Sequence, residues 1–314
     1  MLLDRWGRPV TNLRISVTNS CNYNCFFCHK EGHEIEGGEM TPAEITRLVK
    51  LLAKHGIRTV KITGGEPLIR RDLEEIVRGI REAGIEEISL VTNGWFLPER
   101  ACSLKEAGLD RVNISLHSLR RDIYERITGA DGLDRALKAV DTALECGLIP
   151  VKVNVTVLRG YNDDELWELV RYASSKGIKI QFIELLDVDP SLRRYYYSLD
   201  GFEEELEKVA LRKEIRELHG RPLYYLDGGA VVEIVKGTGN PLFCMRCNRI
   251  RVTSDGFFKT CIRREDNLVD FLYIMRNGGT DEDLLEAFKR AVRLREPFHK
   301  PPRAGPRYDD IVEL

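Results

Sequence analysis

Six short runs rich in β-branched residues, at 13–18, 59–63, 87–92, 111–116, 150–157 and 178–185, alternate with longer stretches that carry the apolar spacing of helices. A strand parallel to its predecessor needs a crossover, and a helix both spans the sheet and covers its face. Crossovers of one hand curl successive units the same way, so the alternation predicts an α/β fold, a partial (β/α)6 TIM-like barrel. Active residues then belong at the carboxyl ends of the strands, where Cys21, Gly64-Gly65, Thr92-Asn93 and Ser115 fall. The first helix announces its start: Thr41 as N-cap, Pro42 in the first turn and Glu44 completing a capping box, with Ile45, Leu48, Val49 and Leu52 on one face. A second helix is expected between Asp72 and Gly84.

At 314 residues and 43% hydrophobic composition, the chain can bury one large domain plus an appendage. The rhythm breaks near Asp187, where a tyrosine-rich stretch (195–197) leads to a helix expected over 202–218 and then to hairpin-like strands. The expected division is a barrel over 1–225 and a C-terminal α+β module over 226–314. Helices are expected near 266–275 and 281–292, ahead of a loosely ordered Pro/Arg-rich tail. Asp4 and Arg5 interrupt the apolar run a signal peptide needs, and no later run approaches the roughly 20 apolar residues of a membrane span, so the expected place is the cytoplasm, with no membrane partner. A net charge of −2 argues against a broad nucleic-acid surface, and an anionic substrate would need a local basic pocket.

Six of the eight cysteines fall into two tight groups: Cys21, Cys25 and Cys28, and Cys244, Cys247 and Cys261. In a reducing compartment such spacing reads as metal ligation, whereas Cys102 and Cys146 read as buried helix-face thiols. Each group is one ligand short of a closed site. Structural zinc is normally held by four ligands, while three thiolates on a cuboidal cluster leave one iron open. For the second group the spacing alone fits zinc about as well as a cluster. Asp255-Gly256 marks a hairpin turn there, and on a strand Arg249 and Arg251 point to one side as two forked donors suited to phosphate.

Cys21-x-x-x-Cys25-x-x-Cys28 after the first strand, with Gly64-Gly65-Glu66-Pro67 after the second, resembles the radical S-adenosylmethionine (SAM) superfamily. Residues 13–18, 62–68, 113–116, 151–155 and 182–184, taken with the Cys247-Asn248-Arg249-Ile250-Arg251 stretch, resemble the GTP 3′,8-cyclases of molybdenum cofactor biosynthesis. The resemblance implies two [4Fe–4S] clusters on the six cysteines and SAM contacts at Phe27, Gly65 and Ser115. It implies GTP contacts at Arg14, Lys61, Val91, Lys152, Arg249 and Arg251, with Arg249 and Arg251 also assisting late radical steps. The implied reaction takes hydrogen from ribose C3′ and joins that carbon to guanine C8, giving (8S)-3′,8-cyclo-7,8-dihydroguanosine 5′-triphosphate. A low-potential electron donor and a downstream cyclic pyranopterin monophosphate synthase are implied partners; the assembly expected is a monomer or homodimer.

This sequence departs from the family pattern in places. Val91 stands where threonine is usual, Thr59 and Gln181 where basic residues are common, and His117 where aspartate is frequent. Many relatives end in Gly-Gly, whereas this chain ends Asp310-Ile311-Val312-Glu313-Leu314, which bears on activation rather than substrate. The alternatives are another radical SAM enzyme with an auxiliary cluster, such as a peptide or cofactor maturase, and a non-catalytic module with two zinc staples. The former usually carries more C-terminal cysteines; the latter would be colourless.

Overall fold

The computed structural model describes residues 1–33, 37–186 and 189–297. A small antiparallel ribbon, β1 (Leu2–Leu3) and β2 (Pro9–Val10), precedes the main sheet. The barrel then proceeds as β3 (Asn12–Ser16), α1 (Pro42–Ala53), β4 (Thr59–Thr63), α2 (Leu73–Glu82), β5 (Glu87–Thr92), α3 (Leu97–Glu106), β6 (Arg111–Ser115), α4 (Arg121–Thr128), α5 (Leu133–Glu145), β7 (Lys152–Val157), α6 (Leu166–Lys176) and β8 (Lys179–Glu184). Each of these six strands from β3 to β8 pairs in parallel with the next, as the βα alternation requires. The Thr41–Glu44 capping box is present, and Ile45, Leu48, Val49 and Leu52 are buried.

Side chains alternate between the faces of a strand, and here the two faces differ in chemistry. Leu13, Ile15, Val60, Ile62, Ile88, Leu90, Val112, Ile114, Val153, Val155, Ile180 and Phe182 are buried in the apolar core. Burying each such side chain contributes about 1.5–3 kcal/mol, which fixes the register. The alternate residues on the same strands, including Arg14, Lys61, Asn113, Lys152, Asn154 and Gln181, line an internal cavity instead.

The C-terminal residues continue the same sheet at both of its edges. After α7 (Asp200–Val209) come β9 (Arg212–Ile215), β10 (Pro222–Tyr225), β11 (Val231–Val235), α8 (Pro241–Met245), β12 (Arg249–Val252), β13 (Phe257–Lys259), β14 (Val269–Asp270), α9 (Leu272–Arg276) and α10 (Asp281–Arg293). β11 lies parallel to β8 and β12 parallel to β3, giving a 12-stranded sheet with the order β14-β13-β12-β3-β4-β5-β6-β7-β8-β11-β10-β9. The boundary expected after Tyr225 falls in the turn between the antiparallel partners β10 and β11.

Three expectations are corrected. The helix expected over 202–218 ends at Val209, because Arg212 and Lys213 pair with Tyr225 and Tyr224 and lie over their rings, at 4.0 and 5.1 Å from the centroids. Much of 266–275 is not helical: β14 uses Val269–Asp270 to pair with β13, and α9 begins at Leu272. Cys102 and Cys146 are not buried thiols but a disulfide joining α3 to the end of α5, their Cα atoms 5.0 Å apart. Cys102 lies on the exposed side of α3, where α5 comes alongside.

Candidate active site

The first cysteine loop leaves β3 and is braced by the turn after β4. The amides of Gly65 and Glu66 donate to the carbonyls of Thr18 and Ser20, both at 2.8 Å. A Cβ on Gly65 would overlap the Ser20 and Asn19 carbonyls, and one on Gly64 the Thr18 carbonyl. These glycines therefore admit the backbone that carries Cys21. Glu66 ties this turn to the end of β5, accepting from the Thr92 hydroxyl at 2.8 Å and from the amides of Asn93 at 2.7 Å and Leu68 at 3.0 Å. Burial pushes its carboxyl up to about 7, against the pull of those donors.

The Tyr23 amide points at Cys21 Sγ and the Lys30 amide at Cys28 Sγ, each at 3.4 Å. Amides aimed at sulfur are the hydrogen bonds that tune iron–sulfur thiolates. Burial pushes the Cys25 thiol up to about 12, and the neighbouring Cys28 and Cys21 sulfurs add to the shift. Three thiolates here therefore need a cationic group among them. Among the described residues no three His, Cys, Asp or Glu side chains are gathered closely enough to hold a single metal ion. Phe27 packs at 5.0 Å, centroid to centroid, against His117. Burial lowers His117 to about 4, and its Nδ1 accepts the Thr156 amide at 3.2 Å, so its proton sits on Nε2. Gly65 and Ser115 lie at the ends of β4 and β6.

A cavity of about 520 Å³ occupies the barrel interior, within the range of small-molecule sites. Arg14, Lys61, Val91, Lys152, Arg249 and Arg251 all line it, and so do Cys244, Cys247 and Cys261. The first trio, Phe27, Gly65 and Ser115 do not line it; His29, beside Cys28, does. Register explains the basic wall, because Arg251, Arg14 and Lys61 are successive partners across β12, β3 and β4.

Three of these cations already hold carboxylates. Arg14 and Arg251 both reach Glu31, and Lys152 pairs with Glu233, which also holds Arg216 at 3.0 Å and Arg221 at 3.1 Å. Burial lowers Lys152 to about 8, while the three cations bring Glu233 well below the usual carboxylate range despite its burial. Lys61 and Arg249 have no carboxylate within salt-bridge range among the described residues: Lys61 meets Asn113 Oδ1 at 3.5 Å and Arg249 Nε meets Asn12 Oδ1 at 2.7 Å. Burial and the neighbouring cations lower both groups well below their ordinary values.

The second trio is held by both ends of the described chain. Arg8 Nη1 donates to the Cys244 carbonyl at 2.8 Å, and Arg295 donates to the Cys247 carbonyl. Buried Asp4 joins the two guanidiniums, at 2.7 Å to Arg8 and 3.0 Å to Arg295. Burial raises the Cys247 thiol, but Arg295 and Arg249 outweigh it and leave the thiol below its ordinary value. That donor set suits a metal-bound thiolate.

Residues 15–173 match the model of the radical SAM superfamily, and residues 178–301 match that of molybdenum cofactor synthesis C. A probable GTP 3′,8-cyclase of Thermococcus kodakarensis is 50% identical over 309 residues, covering 96% of this chain and 100% of that protein. The chain belongs to the GTP 3′,8-cyclase family of the radical SAM superfamily. Probable cyclases of Pyrococcus abyssi and Saccharolobus solfataricus are 47% and 44% identical, each covering 95% of this chain and 99% of the relative. Among solved structures, the anSMEcpe protein with bound AdoMet superposes with a TM-score of 0.64 at 19% identity, covering 90% of this chain and 82% of that one. Streptococcus suis SuiB bound to precursor peptide SuiA gives 0.65 at 16% identity over 85% of this chain, which spans 64% of that longer protein. These likenesses concern the fold alone.

In this cyclase-family chain, reading the sequence missed Glu31, Arg111, Asn113, Arg216, Arg221, Glu233 and the Asp4–Arg8–Arg295 bracket. Arg111 and Asn113 share strand parity with Ser115 and were accessible from alternation. Glu233 and the two arginines meet only through tertiary pairing, and Asp4 read merely as a charge interrupting an apolar run. No described helix is long and apolar enough to cross a membrane. The chain's last residues lie outside those described.

Proposed function

We propose that this chain is a radical SAM GTP 3′,8-cyclase, catalysing the first step of molybdenum cofactor biosynthesis with Cys21, Cys25 and Cys28 holding one [4Fe–4S] cluster and Cys244, Cys247 and Cys261 a second. What carries the reading is that all six nucleotide positions implied by sequence line one cavity together with the second trio. Bound by Cys21, Cys25 and Cys28, a cluster would supply the electron for reductive cleavage of SAM, the chemistry that would start hydrogen removal at C3′ of GTP and the joining of that carbon to guanine C8. Phe27, Gly65 and Ser115 place SAM at the strand ends. Arg249 and Lys61, free of carboxylate partners among the described residues, take phosphate oxygens with charge-assisted hydrogen bonds; Arg14, Arg251 and Lys152 complete the cradle, and Val91 contributes backbone contact. Arg249 and Arg251 also stand beside the second trio, where late radical steps would occur. Holding C8 against C3′ inside the barrel cavity is the main task of these residues.

Residues 226–314 are the portion we assign to the second cluster and the nucleotide, although its strands extend the barrel sheet. The reaction needs a low-potential electron donor and a synthase that consumes the cyclised nucleotide, and its proposed place is the cytoplasm, as a monomer or homodimer. The test is anaerobic reconstitution with iron and sulfide, then reduction with SAM in the presence and absence of GTP. Eight irons per chain and GTP-stimulated 5′-deoxyadenosine are expected; Cys21→Ala should abolish SAM cleavage, and Cys261→Ala should spare SAM binding while abolishing cyclisation. Four irons per chain, or deoxyadenosine formation indifferent to GTP, overturns the reading.

A further inference from the structure

Lys30 and Glu31, two successive non-glycine residues, adopt left-handed backbone conformations, with φ of 46° and 54°. Such conformations persist only where their surroundings hold them. Here the hold is the Glu31 carboxylate, whose side chain is 11% exposed. It accepts from Arg14 Nε at 3.1 Å, Arg14 Nη2 at 2.5 Å, the Thr63 hydroxyl at 3.0 Å and Arg251 Nη1. Arg14 and Arg251 are also cavity-lining cross-strand partners, so one carboxylate from the cysteine loop occupies two arginines of the anion wall.

Like charges placed opposite each other on a sheet repel, and Arg251, Arg14 and Lys61 stand in one such row. The row is tolerable while an anion sits on it. We propose that Glu31 is a resident stand-in for substrate phosphate: it holds the Arg14–Arg251 pair in place in the free protein and yields when the triphosphate arrives. Its release frees the strained turn that begins two residues after Cys28, so nucleotide occupancy is signalled to the first cysteine loop. The inference rests on the reading that these arginines take the phosphates. It goes further by naming a carboxylate that competes for them.

The test compares GTP and guanosine binding to the reconstituted full chain by calorimetry for wild type, Glu31→Gln and Arg251→Ala. Removing the competing charge should tighten GTP binding about tenfold in Glu31→Gln and leave guanosine binding unchanged, because guanosine lacks phosphates. Unchanged or weaker GTP binding in Glu31→Gln overturns the proposal. If GTP binding is also unchanged in Arg251→Ala, the phosphate reading itself fails; if it weakens there, the stand-in role alone is lost. Should Glu31→Gln not fold, amide hydrogen exchange of wild type decides: exchange at residues 28–33 should rise on adding GTP, and exchange that stays level or falls overturns the proposal.

Discussion

At the scale of single residues, the site is governed by which cations are already satisfied. Arg249 donates to Asn12 but holds no described carboxylate, so its guanidinium loses little by turning to phosphate. Arg249→Ala should weaken GTP binding by about 1.5–3 kcal/mol, roughly 10- to 150-fold in Kd, with iron content unchanged; calorimetry and iron analysis check both parts. Thr59 and Gln181 show why charge counting along the sequence was insufficient. Neither is basic, yet the cavity keeps its cationic wall because Arg111, Arg216 and Arg221 enter it from neighbouring elements. His117 gives a pH prediction. Burial depresses it from 6.5 to about 4, so the fold favours the neutral ring. The stabilisation is present above pH 6.5 and is lost as pH falls toward 4, by up to about 3 kcal/mol. Thermal unfolding from pH 7 to 4 should therefore show a shallower decline in His117→Asn than in wild type.

At the scale of elements, the barrel strands and first helices were legible because parity and capping are local. Thr41, Pro42 and Glu44 lie next to the turn they start, and Leu13, Ile15, Val60 and Ile62 alternate with polar partners whatever the rest of the chain does. The elements misread were those decided by distant partners. Arg212 and Lys213 become strand because Tyr225 and Tyr224 lie opposite them, and Val269–Asp270 because β13 does. The cysteine groups were visible as spacing, but not the cavity that gathers the second trio with the six residues the resemblance implied for the nucleotide. The turn after β4 offers an element-level test: Gly65→Ala drives a Cβ into the backbone of residues 19 and 20, whereas Gly38→Ala enters open space. The first should cost about 1–3 kcal/mol and reduce iron bound by the first trio, and the second should do neither, as thermal unfolding and iron titration will report.

At the scale of the whole molecule, two long-range fastenings close the fold, one on the helical layer and one along the cavity wall. The Cys102–Cys146 disulfide closes a sequence separation of 44 residues on the helical layer. Cys102→Ser, or reductant, should lower stability by about 2–4 kcal/mol while leaving GTP affinity unchanged, measured by thermal melts and calorimetry. The other fastening is the pairing of β12 with β3, in which Arg249 meets Asn12 across a sequence separation of 237 residues. Its consequence is temporal. The first cysteine loop and its neighbouring strands leave the ribosome early. The second cysteine group needs nearly the entire polypeptide, since the Cys247 carbonyl is held by Arg295 and β12, which follows it, pairs with the amino-terminal strand β3. A chain cut short before β12 would therefore carry the first cysteine loop without the cavity wall that Arg249 and Arg251 supply.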